Sequence, residues 1–166
     1  VHHLSAGEAG ARLAIASALV TALGALAGGA LADRLAARDL RWLVWLPGVA
    51  LLLGFPFAQG FALAPTAKAA ILLLVPFSFM AGSCFGPFYS VLQTLAPARM
   101  RALAAALVLS FNTLFGLGLA PPIVGWLNDA GAARWGAESI RYSLCTALGA
   151  HLVAALCLAR AGRTLR

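Results

Sequence analysis

The sequence predicts an all-α, polytopic membrane protein with five transmembrane helices, and three observations predict it. First, 62% of the 166 residues are apolar and 10% are charged, whereas a soluble domain carries about 25% charge. A chain this poor in charge cannot coat a surface that faces water. Second, five stretches hold no Asp, Glu, Lys or Arg: residues 13–32, 42–67, 69–98, 102–128 and 142–159, which are 20, 26, 30, 27 and 18 residues long. A helix needs about 20 residues to cross a hydrocarbon core of about 30 Å, so each stretch crosses once. Third, the charges gather at the joints. Asp33, Arg34, Arg38, Asp39 and Arg41 form the densest cluster in the chain. The short alternating segments of a β-barrel are absent.

The first helix, expected over about 6–37, opens with a capping box in which Ser5 is the N-cap and Glu8 lies three residues on. Glu8 and Arg12 make an i,i+4 pair. Ala14, Ser17, Thr21, Gly24 and Gly28 share one face, and Leu19, Leu23 and Leu26 lie roughly opposite. Gly24 and Gly28 are a small-xxx-small pair that admits a close neighbour, so the leucine face is expected to meet lipid. The second helix, about 40–63, places Trp42 and Trp45 at the interface. Pro56 is expected to kink it. With little polarity beyond Gln59, it reads as peripheral and lipid-facing.

The third helix, about 67–95, carries Ser78, Gly82, Gly86, Tyr89 and Gln93 near one face, with Pro76 and Pro87 able to bend it. Such a stripe faces either other helices or a wet cavity. Tyr89 and Gln93 carry groups that lipid cannot satisfy, which favours the cavity. The fourth helix, about 98–128, holds Ser110, Asn112 and Thr113 at its centre and then Gly116, Pro121, Pro122 and Gly125. Asn112 is expected to face inward, as inter-helix glue or as a ligand contact. The double proline is expected to break or bend the helix. The fifth helix, about 139–160, contains His151, which has no carboxylate near it in sequence and reads as a packed residue.

Arginines and lysines set the orientation. The first loop, the third loop and the C-terminal tail hold eight of them, against four on the other side. Those three segments are therefore expected in the cytoplasm. One lysine against 11 arginines points to a GC-rich bacterial genome, and hence to a bacterial inner membrane. The net charge of +7 would fit nucleic acid, but the arginines cluster at segment ends, so no nucleic-acid partner is expected. Cys84, Cys145 and Cys157 lie inside apolar segments and read as small core residues, not a disulfide framework. The first residue is Val1, and the chain reads as a fragment or a processed piece.

The spans hold no acid, base or nucleophile cluster, so catalysis is not expected. No Cys/His spacing points to a metal, and no phosphate-binding loop is present. No cofactor is expected. Glycines, bent helices and a few inward polar groups fit a carrier whose helices rock around a site.

Gly29-Ala30-Leu31-Ala32-Asp33-Arg34-Leu35-Ala36-Ala37-Arg38 resembles the G-x-x-x-D-R-x-G-R-R loop of the major facilitator superfamily. Ala36 stands for the motif's internal glycine and Ala37 for its first basic residue, as in that family's second, weaker copy. Residues 4–10, 39–42, 99–104, 116–125 and 141–142 are similar to the spinster-like branch. The resemblance implies that these are the last five helices of a twelve-helix fold, residues 1–166 being a partial C-terminal six-helix bundle. It implies a conformational loop at Gly29, Asp33, Arg34 and Arg38, and a cavity lined by Ser78, Tyr89 and Gln93. Gly24, Gly28, Asn112, Gly116, Pro121 and Gly125 would serve helix interfaces. The first and fourth helices would face the missing N-terminal half, and the second and fifth would be peripheral. The implied function is secondary transport of a small organic, amphipathic or lipid-like solute by alternating access, with proton coupling through residues outside this chain. The alternative is a truncated or accessory membrane protein that does not transport by itself. The partners are then the bilayer, the other half and a small-molecule substrate.

Overall fold

The computed structural model describes residues 6–164, all-helical with short joints. The helices are α1 (Ala6–Ala36), α2 (Trp42–Leu63), α3 (Ala67–Ser83), α4 (Phe85–Leu95), α5 (Arg101–Phe111), α6 (Ala120–Trp135), α7 (Ser139–Leu148) and α8 (Ala150–Thr164). A π-helical segment, Asn112–Leu119, joins α5 to α6. Among the described residues, five runs are long and apolar enough to cross a membrane: Leu13–Ala36, Trp42–Leu63, Ala67–Leu95, Ala98–Ala132 and Ser139–Thr164. The protein is thus a multi-pass helical membrane protein. The Ser5 cap lies outside the described residues, and so do the side chains of Glu8 and Arg12.

Each break inside a span has a local cause. Pro87 has no N–H to give the Ser83 carbonyl, and the chain steps from α3 to α4 at Cys84. At the α7–α8 junction, the Gly149 N–H donates to both Cys145 O and Thr146 O at 3.1 Å. In the fourth span, Pro121 and Pro122 remove two donors. The ladder answers by widening, so that the Ala120 N–H donates to Phe115 O, five residues back. The expected bend there is therefore a change of helical register, and the helix continues to Trp135, beyond the expected 128. Gly136, at φ 53°, ends it. By contrast, α2 runs unbroken through Pro47 and Pro56.

The expectation of a peripheral second helix is corrected. α2 packs against α1, α3, α4, α7 and α8, the widest set of neighbours in the bundle. Its buried face includes Ala50, Gly54, Ala58 and Ala62, a stripe of small residues four apart. Gly54 lies against Met80 of α3, and Gly48 against Leu158 of α8. Lipid is as apolar as leucine, so helices associate here by shape and close approach, not by hydrophobicity. The outer surface shows the same logic: Leu19, Leu23 and Leu26 are 60–73% exposed, the face expected to meet lipid.

Polar side chains in the spans bond back to their own helices. Thr21 Oγ1 donates to Ser17 O at 2.8 Å, Ser143 Oγ to Ser139 O at 2.9 Å, and Thr94 Oγ1 to Ser90 O at 2.8 Å. His151 Nδ1 lies 3.0 Å from Leu148 O, with its ring beside Phe77, as a packed histidine should. Other bonds link helices. Gln59 Nε2 donates to Cys145 O at 3.1 Å, and Ser139 Oγ donates to Asn128 O at 2.6 Å.

Candidate functional site

A seam without side chains joins α1 to α3 and α4. A methyl group on Gly24 would overlap the Phe79 carbonyl, and one on Gly28 the Ser83 carbonyl. The contact is reciprocal: a methyl on Gly82 would overlap the Thr21 carbonyl, and one on Gly86 would press on the Gly29 backbone at 2.7 Å. Gly24, Gly28 and Gly29 thus lie against the third span, where Gly82 and Gly86 of its small stripe face them. Ser78, 6% exposed, is buried within α3 and does not line the cavity described next. Gln93 is exposed on α4 and does not line it either.

That cavity, of about 830 Å³, lies between α2, α4, α5, the π segment and α8. Tyr89 and Asn112 stand in a wall that is otherwise apolar save for the thiols of Cys84 and Cys157, with Phe85, Phe88, Leu107 and Phe111 prominent in it. Cys84 Sγ is occupied with backbone: it lies 3.4 Å from Met80 O and 3.7 Å from Pro47 O. The size falls within the roughly 300–1,000 Å³ of small-molecule sites, and an apolar wall with few polar groups is their usual chemistry. No carboxylate or cation lines it. The arrangement can desolvate an apolar body and hydrogen-bond one uncharged polar group. Phe85, Phe88 and Leu92 were not picked out as cavity residues by sequence reasoning, although their spacing of three and four marks one helical face.

Asn112 faces this cavity and is also the first residue of the π segment. The rest of that region is open. Gly116, Pro121 and Gly125 are exposed, and nothing lies within 4 Å of where a Gly125 methyl would be. Among the described residues, the fourth span touches only α4 and α7 outside itself and its short flanking turns.

The charged joint is a tight turn. Gly29, Asp33 and Arg34 lie within α1, and Arg38 lies in the turn itself. The turn is organised by Asp39: its Oδ1 accepts the Arg41 N–H at 2.9 Å, while its carbonyl accepts the Trp42 N–H at 3.1 Å. This is the local side-chain-to-backbone bond that aspartate makes in turns. Asp33 and Arg34 are exposed. Among the described residues, no group of three or more His, Cys, Asp or Glu is placed to hold a metal.

Over 156 residues the chain is 34% identical to an "MFS-type efflux pump" of Mycolicibacterium smegmatis (strain ATCC 700084 / mc(2)155). The alignment covers 93% of this chain and 36% of that protein. The chain therefore spans about a third of the length of the relative it matches. No protein-family model and no solved structure matches it.

Proposed function

We propose that this chain forms the last five membrane helices of a major facilitator carrier of the spinster-like branch. In this reading the carrier moves a small organic, amphipathic solute across a bacterial inner membrane by alternating access. The observation that carries it is the alignment of 93% of the chain with an MFS-type efflux pump. Two structural features support it. The glycine seam packs α1 backbone to backbone against α3. The exposed small residues of the fourth span offer a face on which the N-terminal half would close.

Under this reading Tyr89 and Asn112 are the polar contacts of the solute, within a wall of aromatic and aliphatic side chains. Asp33, Arg34 and Arg38 form a latch against the other half. A carboxylate against a helix N-terminus there contributes about 0.3–2 kcal/mol to one conformational state. Proton coupling belongs to residues outside this chain. The arginine-rich end faces the cytoplasm.

The test is ligand-dependent stability of the full-length protein. Thermal melting against a panel of amphipathic solutes is expected to show at least one that raises the midpoint. That shift should shrink in Tyr89→Phe and Asn112→Leu. A panel in which nothing shifts the midpoint, or in which the variants shift like the parent, contradicts the assigned site.

A further inference from the structure

A second cavity, of about 560 Å³, continues from the first along α2, α4 and α8. The two share Pro47, Phe88, Leu92 and Leu158, and the second adds Val44, Val91 and Ala161. Its wall reaches Leu43 in the first turn of α2, Ala96 just after α4 and Thr164 at the end of α8. Between Phe88 and Ala96 it runs about 12 Å at 1.5 Å per residue. That is most of the roughly 15 Å depth of one leaflet.

Its mouth is cationic. Arg101 Nε donates to the carbonyl of Ala96, a wall residue, at 3.4 Å, which holds the guanidinium at the opening. Arg99 is exposed in the adjoining α4–α5 turn, whereas Arg163, exposed in the last turn of α8, lines a separate hollow with Trp45 and Gly48. Among the described residues, the charged side chains at this end of the bundle, from the end of α1, the α1–α2 turn, the α4–α5 turn and the end of α8, comprise seven arginines and two aspartates, Asp33 and Asp39. The groove is thus apolar over the depth of a lipid chain and positive where a lipid head group sits. Juxtamembrane cations attract anionic lipid by about 1 kcal/mol each.

We propose that this groove holds one acyl chain of an anionic bilayer phospholipid, with its phosphodiester at Arg101 and Arg99. The lipid would close the lateral side of the larger cavity. The assignment stands on the groove and its mouth and does not depend on the transport reading.

Native mass spectrometry of the delipidated full-length protein tests it, with phosphatidylglycerol and phosphatidylcholine of matched chains as probes. Phosphatidylglycerol should be retained at least tenfold more tightly than phosphatidylcholine. The variant Arg99→Gln/Arg101→Gln should bring the two to parity. Val91→Trp, which fills the groove, should lower phosphatidylglycerol retention by a similar factor. Several results would overturn the proposal: equal retention of the two lipids by the parent, or undiminished retention in the arginine variant. Retention of neither lipid, as when another segment of the protein fills the groove, overturns it too. So does displacement of phosphatidylglycerol by equimolar inorganic phosphate, which would reduce the site to its head-group half. If Val91→Trp does not fold, the charge variant still decides.

Discussion

Single atoms decide the α1–α3 seam. At Gly24, Gly28 and Gly82 the space for a Cβ is already taken by a carbonyl of the facing helix. Backbone cannot rotate away as a flexible side chain can, so the helices must separate. Gly82→Val is expected to destabilise the protein by about 1–3 kcal/mol, the usual cost of overpacking, read as a lower melting temperature in detergent. Gly29→Ala is the internal comparison, because its methyl meets nothing within 4 Å. That variant should melt at or above the parent temperature, given the helix preference of alanine over glycine of about 1 kcal/mol. Equal losses for both would mean that the seam is not close-packed. The close approach at Gly24 and Gly28 follows the small-xxx-small spacing visible in the sequence. Their partners were not visible there, because Gly82 and Gly86 share a face with Ser78 and Tyr89 and a linear pattern cannot say which part of a stripe meets protein.

At the scale of the element, the fourth span carries the conformational prediction. Its π segment follows from Pro121 and Pro122, whose missing donors leave the ladder one residue out of register. Each residue of register turns a helix by about 100°, so closing the π turn would swing Asn112 away from the cavity. Pro121→Ala/Pro122→Ala restores both donors. It is expected to keep or raise the melting temperature while slowing transport several-fold, measured on the same preparation. Unchanged transport would mean that the register is incidental. Span positions were legible because lipid demands long uncharged runs. Two features of the elements were not. The fourth helix outlasts its apolar stretch because charge at Asp129 marks the edge of the slab, not the end of the ladder; Gly136 was the stop signal. And α2 looked peripheral because polarity was taken as the sign of burial, whereas Ala50, Gly54, Ala58 and Ala62 bury it by size.

Across the whole molecule, the two ends differ. Leu43, Ala96 and Thr164 share the wall of one cavity, which places the first turn, the α4–α5 turn and the end of α8 at the same end of the bundle. Gln59 and Cys145 meet toward the opposite end. Single cysteines at Arg38 and Arg99 should therefore react with an impermeant maleimide from one side of the membrane, and cysteines at Lys68 and Glu138 from the other. The orientation proposed from the positive-inside bias predicts that the first pair is labelled from the cytoplasm. Labelling of all four from one side would dismantle the five-span topology.

The central claim is that a solute moves through the site holding Tyr89 and Asn112. Efflux of amphipathic dyes from cells expressing the full-length protein tests it most directly, with Tyr89→Phe/Asn112→Leu compared at matched membrane level and melting temperature. The account predicts that at least one dye leaves faster than from control cells, and that the double variant slows it about tenfold, equivalent to about 1.4 kcal/mol. Dye loss at the control rate, or a double variant that exports like the parent, would contradict it.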